Sequence, residues 1–136
     1  MAKGVLYWMR DIIISVRNDL VAEAVIRSLT ESGDFNPYKL LFAREDEVVH
    51  ECEAMKPDLL LAEVAFGKRT DLKTRLAEAR EVRCRVPGCK IVFLCDENSA
   101  PDLAHEVMQA KRDGLIDNFF YSSVGTRYLV AALTAT

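Results

Sequence analysis

Glu63 is the side chain best placed for chemistry in this sequence. It ends the short apolar run Leu59-Leu60-Leu61-Ala62 and stands just before the polar loop Gly67-Lys68-Arg69-Thr70-Asp71. A run this short, introduced by Pro57-Asp58, reads as a strand buried on both faces, the kind found in the middle of a parallel sheet. A carboxylate at the carboxyl end of such a strand lies where open α/β sheets keep their ligands. Cys95 is the one candidate nucleophile nearby, and a thiol needs a base beside it. The two histidines, His50 and His105, both fall within expected helices away from that end.

The elements that must position these residues follow from the pattern. Ile12-Ile13-Ile14-Ser15-Val16 is a β-branched strand. Arg17-Asn18-Asp19 supplies polar groups for free helix amides, and Leu20, Val21, Ala24, Val25 and Leu29 then recur at helical spacing until Gly33 caps the helix. A turn from Asp34 to Pro37 leads to an expected second strand, Lys39 to Ala43. Glu45, Asp46 and Glu47 favour the start of a second helix, with Val48, Val49, Cys52 and Met55 inward. After the central strand, Asp71 leads into a helix with Leu72, Leu76, Ala79 and Val82 inward, ending near Pro87-Gly88. Lys90 to Cys95 is a fourth strand. Pro101 suits the first turn of a helix that Gly114 closes. Asn118 to Tyr121 is a fifth strand, and Thr126 is expected to cap the last helix.

Five strands alternating with five helices predict an α/β fold of three layers: a doubly wound, five-stranded parallel sheet with right-handed crossovers. The flavodoxin-like order 2-1-3-4-5 suits that count. It would gather Val16, Arg17 and Asn18, then Glu63, then Cys95 and Asp96, then Ser122 and Ser123, at one rim. Residues 1–10 read as an extension and 11–136 as the domain.

Composition narrows the functions. The chain has 136 residues, half of them hydrophobic, which is globular composition for one domain. A net charge of −3 with mixed signs gives no reason to expect nucleic-acid binding by this segment. Cys52, Cys84, Cys89 and Cys95 form no CxxC pair, so buried, reduced thiols in a cytoplasmic protein are expected, without zinc. No segment is long enough to span a bilayer. A nucleotide or flavin-phosphate site would want glycine, or a Ser, Thr and Gly cluster, after the first strand; Ser15-Val16-Arg17-Asn18-Asp19 offers neither.

With those residues in place, the chain from Asp11 to about Leu133 resembles the receiver domains of bacterial two-component response regulators. The resemblance rests on element order, on the helix entry after Ile12 to Asn18, on Pro57-Asp58-Leu59-Leu60-Leu61-Ala62-Glu63, and on Gly114 to Ser123. Receivers carry two acids after the first strand for Mg²⁺, a phosphorylated Asp ending the third, a Ser or Thr after the fourth and a Lys after the fifth. The matching positions are Val16 and Arg17, Glu63, Cys95, and Ser122. Mg²⁺ wants hard oxygen ligands, and an arginine near the site repels it. The resemblance therefore implies an atypical receiver with a degenerate phosphoacceptor site, in which Glu63 stands as a fixed negative charge and Arg17 is its expected partner.

Phe119, with Phe120 one step away, matches the aromatic that switches between exposed and buried positions in receivers. The implied function is a non-enzymatic module, with no cofactor and no metal, in phosphorelay-type signal transduction and transcription regulation. Implied partners are a second copy through helix 4, strand 5 and helix 5, a histidine kinase, or an output-domain protein. DNA would be reached only through a domain outside this chain. The alternatives are a small-molecule-binding flavodoxin-like domain and a receiver phosphorylated at a non-standard carboxylate such as Asp96.

Overall fold

The computed structural model describes residues 9–40, 47–65, 70–96 and 101–136. Its strands are β1 (Arg10–Ser15), β2 (Phe35–Lys39), β3 (Leu59–Val64), β4 (Lys90–Cys95) and β5 (Asn118–Tyr121). They alternate with α1 (Asp19–Ser32), α2 (Glu47–Met55), α3 (Leu72–Arg85), α4 (Pro101–Arg112) and α5 (Thr126–Ala135). All pairings are parallel, and the sheet order is β2-β1-β3-β4-β5. This is the flavodoxin-like arrangement expected from the alternation of elements.

Strand parity divides the core into two layers. Ile13, Leu60, Ala62, Val64, Ile91 and Phe93 face one way and meet Val48 and Cys52 of α2, Ala79 and Val82 of α3, and Val107 and Ala110 of α4. Ile12, Ile14, Leu59, Leu61, Val92 and Leu94 face the other way and meet Ala22, Val25 and Leu29 of α1 and Leu129 and Leu133 of α5. Burying an aliphatic side chain of this size contributes roughly 1.5–3 kcal/mol. The apolar runs Ile12-Ile13-Ile14 of β1 and Leu59-Leu60-Leu61-Ala62 of β3, buried on both faces, thus fix these two strands in the interior of the sheet.

Four local expectations change. The second strand lies earlier than expected, at Phe35–Lys39, with Pro37 inside it. Proline is tolerated because, among the described residues, β2 is an edge strand and one side of its backbone has no ladder to complete. Leu41, Phe42 and Ala43, placed in that strand by the sequence pattern, lie outside the described residues. On α1 the inward stripe is Ala22, Val25 and Leu29; Leu20 is 85% exposed and Ala24 is also exposed. Cys84 is exposed, although Cys52, Cys89 and Cys95 are buried, and all four are free thiols. Thr126 opens α5 as its first residue, with Gly125 in the cap position and no side-chain capping bond.

The helix entries near the rim are built as their sequences suggest. Asn18 caps α1, its side-chain oxygen accepting from the amides of Leu20 and Val21 at 3.1 and 3.2 Å. Gly33 ends that helix at φ 77°, a left-handed conformation that glycine adopts without steric cost. Asp71 caps α3 by accepting from the Thr74 amide at 3.2 Å, a bond that lowers its pKa below the usual carboxylate value.

Candidate functional site at the carboxyl rim of the sheet

The strand register aligns the expected site residues along one rim. Ser15 pairs with Ala62, Val64 with Cys95, and Cys95 with Tyr121. The loops leaving the strands remain joined just beyond these pairs. The Asp96 amide donates to the Val64 carbonyl at 3.1 Å, and the Ser122 amide to the Cys95 carbonyl at 2.9 Å. Glu63 and Arg17 also meet there: the Arg17 main-chain amide donates to Glu63 Oε1 at 2.9 Å. The contact described between the two residues is thus from backbone to carboxylate. It is set by the turn out of β1 and does not depend on a long side chain finding its partner.

The remaining positions differ in how much of the site they present. Val16 is buried in the layer under α1 and α5. Asn18 already holds two helix amides with its side-chain oxygen. Cys95 is buried, and burial pushes its thiol pKa up to about 12. It therefore stays protonated at neutral pH, whereas nucleophilic chemistry needs the thiolate. Asp96 is half-buried and Ser122 exposed. Both histidines are exposed on α2 and α4.

Phe119 and Phe120 are both half-buried, on opposite faces of β5. Phe119 packs edge-on to Tyr121 at 6.1 Å, with Lys111 Nζ 6.0 Å above its ring. Phe120 meets Tyr128 edge-on at 6.2 Å.

Few of the described side chains beside Glu63 are the hard oxygen ligands that Mg²⁺ prefers. An apolar side chain and an arginine occupy the positions after β1, Glu63 Oε1 already accepts the Arg17 amide, and the Cys95 sulfur is a soft ligand. Among the described residues no three His, Cys, Asp or Glu side chains cluster so as to hold a metal ion.

Sequence reasoning missed Arg75. Its side chain is only 1% exposed, and it reaches from α3 to the undersides of β1 and β3. Nε donates to the Glu63 carbonyl at 2.7 Å and Nη2 to the Ser15 carbonyl at 2.8 Å. Nη1 donates to Ser15 Oγ at 3.0 Å and to Glu78 Oε1 at 3.1 Å. Burial pulls the guanidinium below its usual pKa, while Glu78 and then Glu63 favour the charged form. Burial likewise raises Glu78, against the attraction of Arg75. A signal was available: Arg75 lies three residues after Leu72 and four before Ala79, on the inward stripe of α3.

No protein-family model matches the sequence, and no curated protein matches it either. Solved structures do match its fold. The signal receiver domain of the putative response regulator NarL from Mycobacterium tuberculosis superposes with a TM-score of 0.71 at 15% identity, covering 93% of this chain and 94% of that one. A two-component response regulator of the LuxR family from Aurantimonas gives 0.73 at 14% identity, covering 93% and 84%. The receiver domain of a sensor histidine kinase from Pseudomonas aeruginosa, which holds a magnesium ion in its active-site cleft, gives 0.71 at 16% identity, covering 93% and 96%. The fold is that of response-regulator receiver domains.

Proposed function

We propose that this chain is an atypical receiver domain: a signalling module that acts through protein contacts and works without the conventional cycle of aspartyl phosphorylation. The observation that carries this reading is the tether between Glu63 Oε1 and the Arg17 amide. On a receiver fold, it places a permanent carboxylate over the crevice between β1 and β3, where receivers transiently gain a phosphoryl group. Phosphoryl transfer is mostly positioning and charge neutralisation. Arg17, Val16 and a protonated Cys95 are a poor set for holding a metal or guiding that transfer.

The output surface proposed is the face of α4, β5 and α5. On its β5–α5 part Tyr128 is 62% exposed, and a groove of about 410 Å³ runs between Asn118, Phe120, Tyr128 and Ala132. A second copy or an output-domain protein would dock on that face. Among the neighbours of this fold are a LuxR-family two-component response regulator and the receiver domain of a sensor histidine kinase; transcription regulation as the output and a histidine kinase as an upstream partner are parts of this proposal.

The test is to titrate the protein with Mg²⁺ and beryllofluoride by calorimetry and to incubate it with an acyl phosphate before intact-mass measurement, with Glu63→Asp in parallel. The wild type is expected to show neither heat of binding nor a phosphate adduct. An adduct on Glu63 or Asp96 would replace this reading with that of a receiver phosphorylated at a non-standard carboxylate.

A further inference from the structure

Arg75 is the largest fully buried side chain among the described residues, and nothing in the receiver resemblance gives it a role. Its guanidinium sits among four oxygens: the Glu63 carbonyl, the Ser15 carbonyl, Ser15 Oγ and Glu78 Oε1. Two of these are main-chain carbonyls at the ends of neighbouring strands. The β1–β3 ladder ends at the Ser15–Ala62 pair, so the Glu63 carbonyl lies one residue beyond it, where a buried carbonyl still needs a donor. The ion pair with Glu78 accounts for one of these four contacts; the other three go to the ends of β1 and β3.

We infer that Arg75 is a positioning residue of the rim, a resident cation that fixes the ends of β1 and β3 and thereby holds the Glu63 carboxylate against the Arg17 amide without a bound metal. The guanidinium suits this task because its planar fork donates in several fixed directions and keeps its charge when buried. Glu63 is held at two points, its carbonyl from below by Arg75 and its carboxylate from the side by Arg17. The geometry stands by itself; its consequence, a rim set in one state by the fold, rests on the function proposed above.

The test reads the Arg17 amide by NMR, as its proton shift and its exchange rate, in protein free of Mg²⁺ and phosphodonor. Removing Arg75 alone strands the Glu78 charge, so the principal variant is Arg75→Met/Glu78→Leu, which replaces the pair with apolar volume. Arg17 exchange is expected to rise on the order of tenfold more than that of the Ile13 and Phe93 amides, with loss of the carboxylate-bonded shift, because a rim opens locally without global unfolding. Arg75→Lys, which keeps the charge but not the fork, is expected to lose the shift in part.

An unchanged Arg17 amide in the folded double variant would overturn the inference. So would acceleration equal to that of the core, which would make Arg75 merely structural. If the double variant does not fold, Arg75→Lys decides: a wild-type Arg17 amide refutes the role, and a displaced one supports it. Adding Mg²⁺ and acyl phosphate to the wild type afterwards tests the functional reading separately. Binding there would leave the role of Arg75 standing, and an unaffected Arg17 amide in the variants would leave the functional reading standing.

Discussion

The two ends of the sheet are fastened by different means. At the amino ends, the residue just before a strand is an aspartate whose carboxylate takes the amide of a neighbouring strand. Asp58, before β3, accepts from the Asp11 amide of β1 at 2.8 Å. Asp117, before β5, accepts from the Ile91 amide of β4 at 2.7 Å and from Arg83 Nη2 at 2.9 Å. At the carboxyl ends a buried guanidinium from α3 donates to strand carbonyls. The difference follows from the direction of parallel strands, whose amino ends expose donors and whose carboxyl ends expose acceptors. Acids suit the first end and a multidentate cation suits the second. The Pro-Asp pair that introduces β3 is thus a fastening at the closed end, while Glu63, five residues later, points its carboxylate into the open one.

The largest expected effect is one that the two ends share. Cys89, near the start of β4, and Cys95, at its end, are both raised from the ordinary thiol value of 9.0 to about 12, chiefly by burial. Because the folded values lie above the unfolded one, the associated stability is fully present below pH 9 and is lost progressively as pH rises toward 12. Each unit of separation corresponds to about 1.4 kcal/mol. Urea midpoints measured from pH 8 to 11 should fall steadily above 9, and Cys89→Ala and Cys95→Ala should each flatten that slope. A slope unchanged by either variant would show that the alkaline loss arises elsewhere.

Next comes the contrast itself. Arg75→Met leaves the Glu78 carboxylate in buried surroundings and takes a donor away from two strand-end carbonyls, and should cost about 3–5 kcal/mol in chemical denaturation. At the other end, Asp117→Ala orphans the Ile91 amide and the Arg83 pair, and Asp58→Ala orphans the Asp11 amide. Each should cost about 1–3 kcal/mol, with Asp117→Ala the larger because two partners are lost. If Asp58→Ala proved as damaging as Arg75→Met, the view that the open end depends on one central cation would fail.

Much of the fold was readable from residue order. Strands β4 and β5 begin and end where the apolar runs do, Gly33 and Gly114 both take the left-handed conformation expected of a helix end, and Asn18 and Asp71 cap the helices they precede. The second strand was misplaced because a proline reads as a turn until it is known to sit on an edge, and edge position belongs to the sheet. The outward turn of Leu20 has a similar origin. In the first turn of a helix the apolar stripe is not yet constrained by a neighbour, so periodicity alone misassigns it.

For the site, the sequence by itself determined which side chains leave the strands at the rim, because the ends of apolar runs mark the ends of strands. It therefore brought Glu63, Arg17, Cys95 and Ser122 to one edge once the order 2-1-3-4-5 was assumed. Only the tertiary structure decided how they are held. A backbone amide, with no sequence signature of its own, became the partner of Glu63. An arginine that its charge alone would send to solvent, although it lies on the inward stripe of α3, became the floor of the site, because α3 crosses beneath two strand ends whose carbonyls accept from it. Periodicity records which face of an element is apolar; it does not record which backbone groups on another element are left unpaired, and that demand placed Arg75.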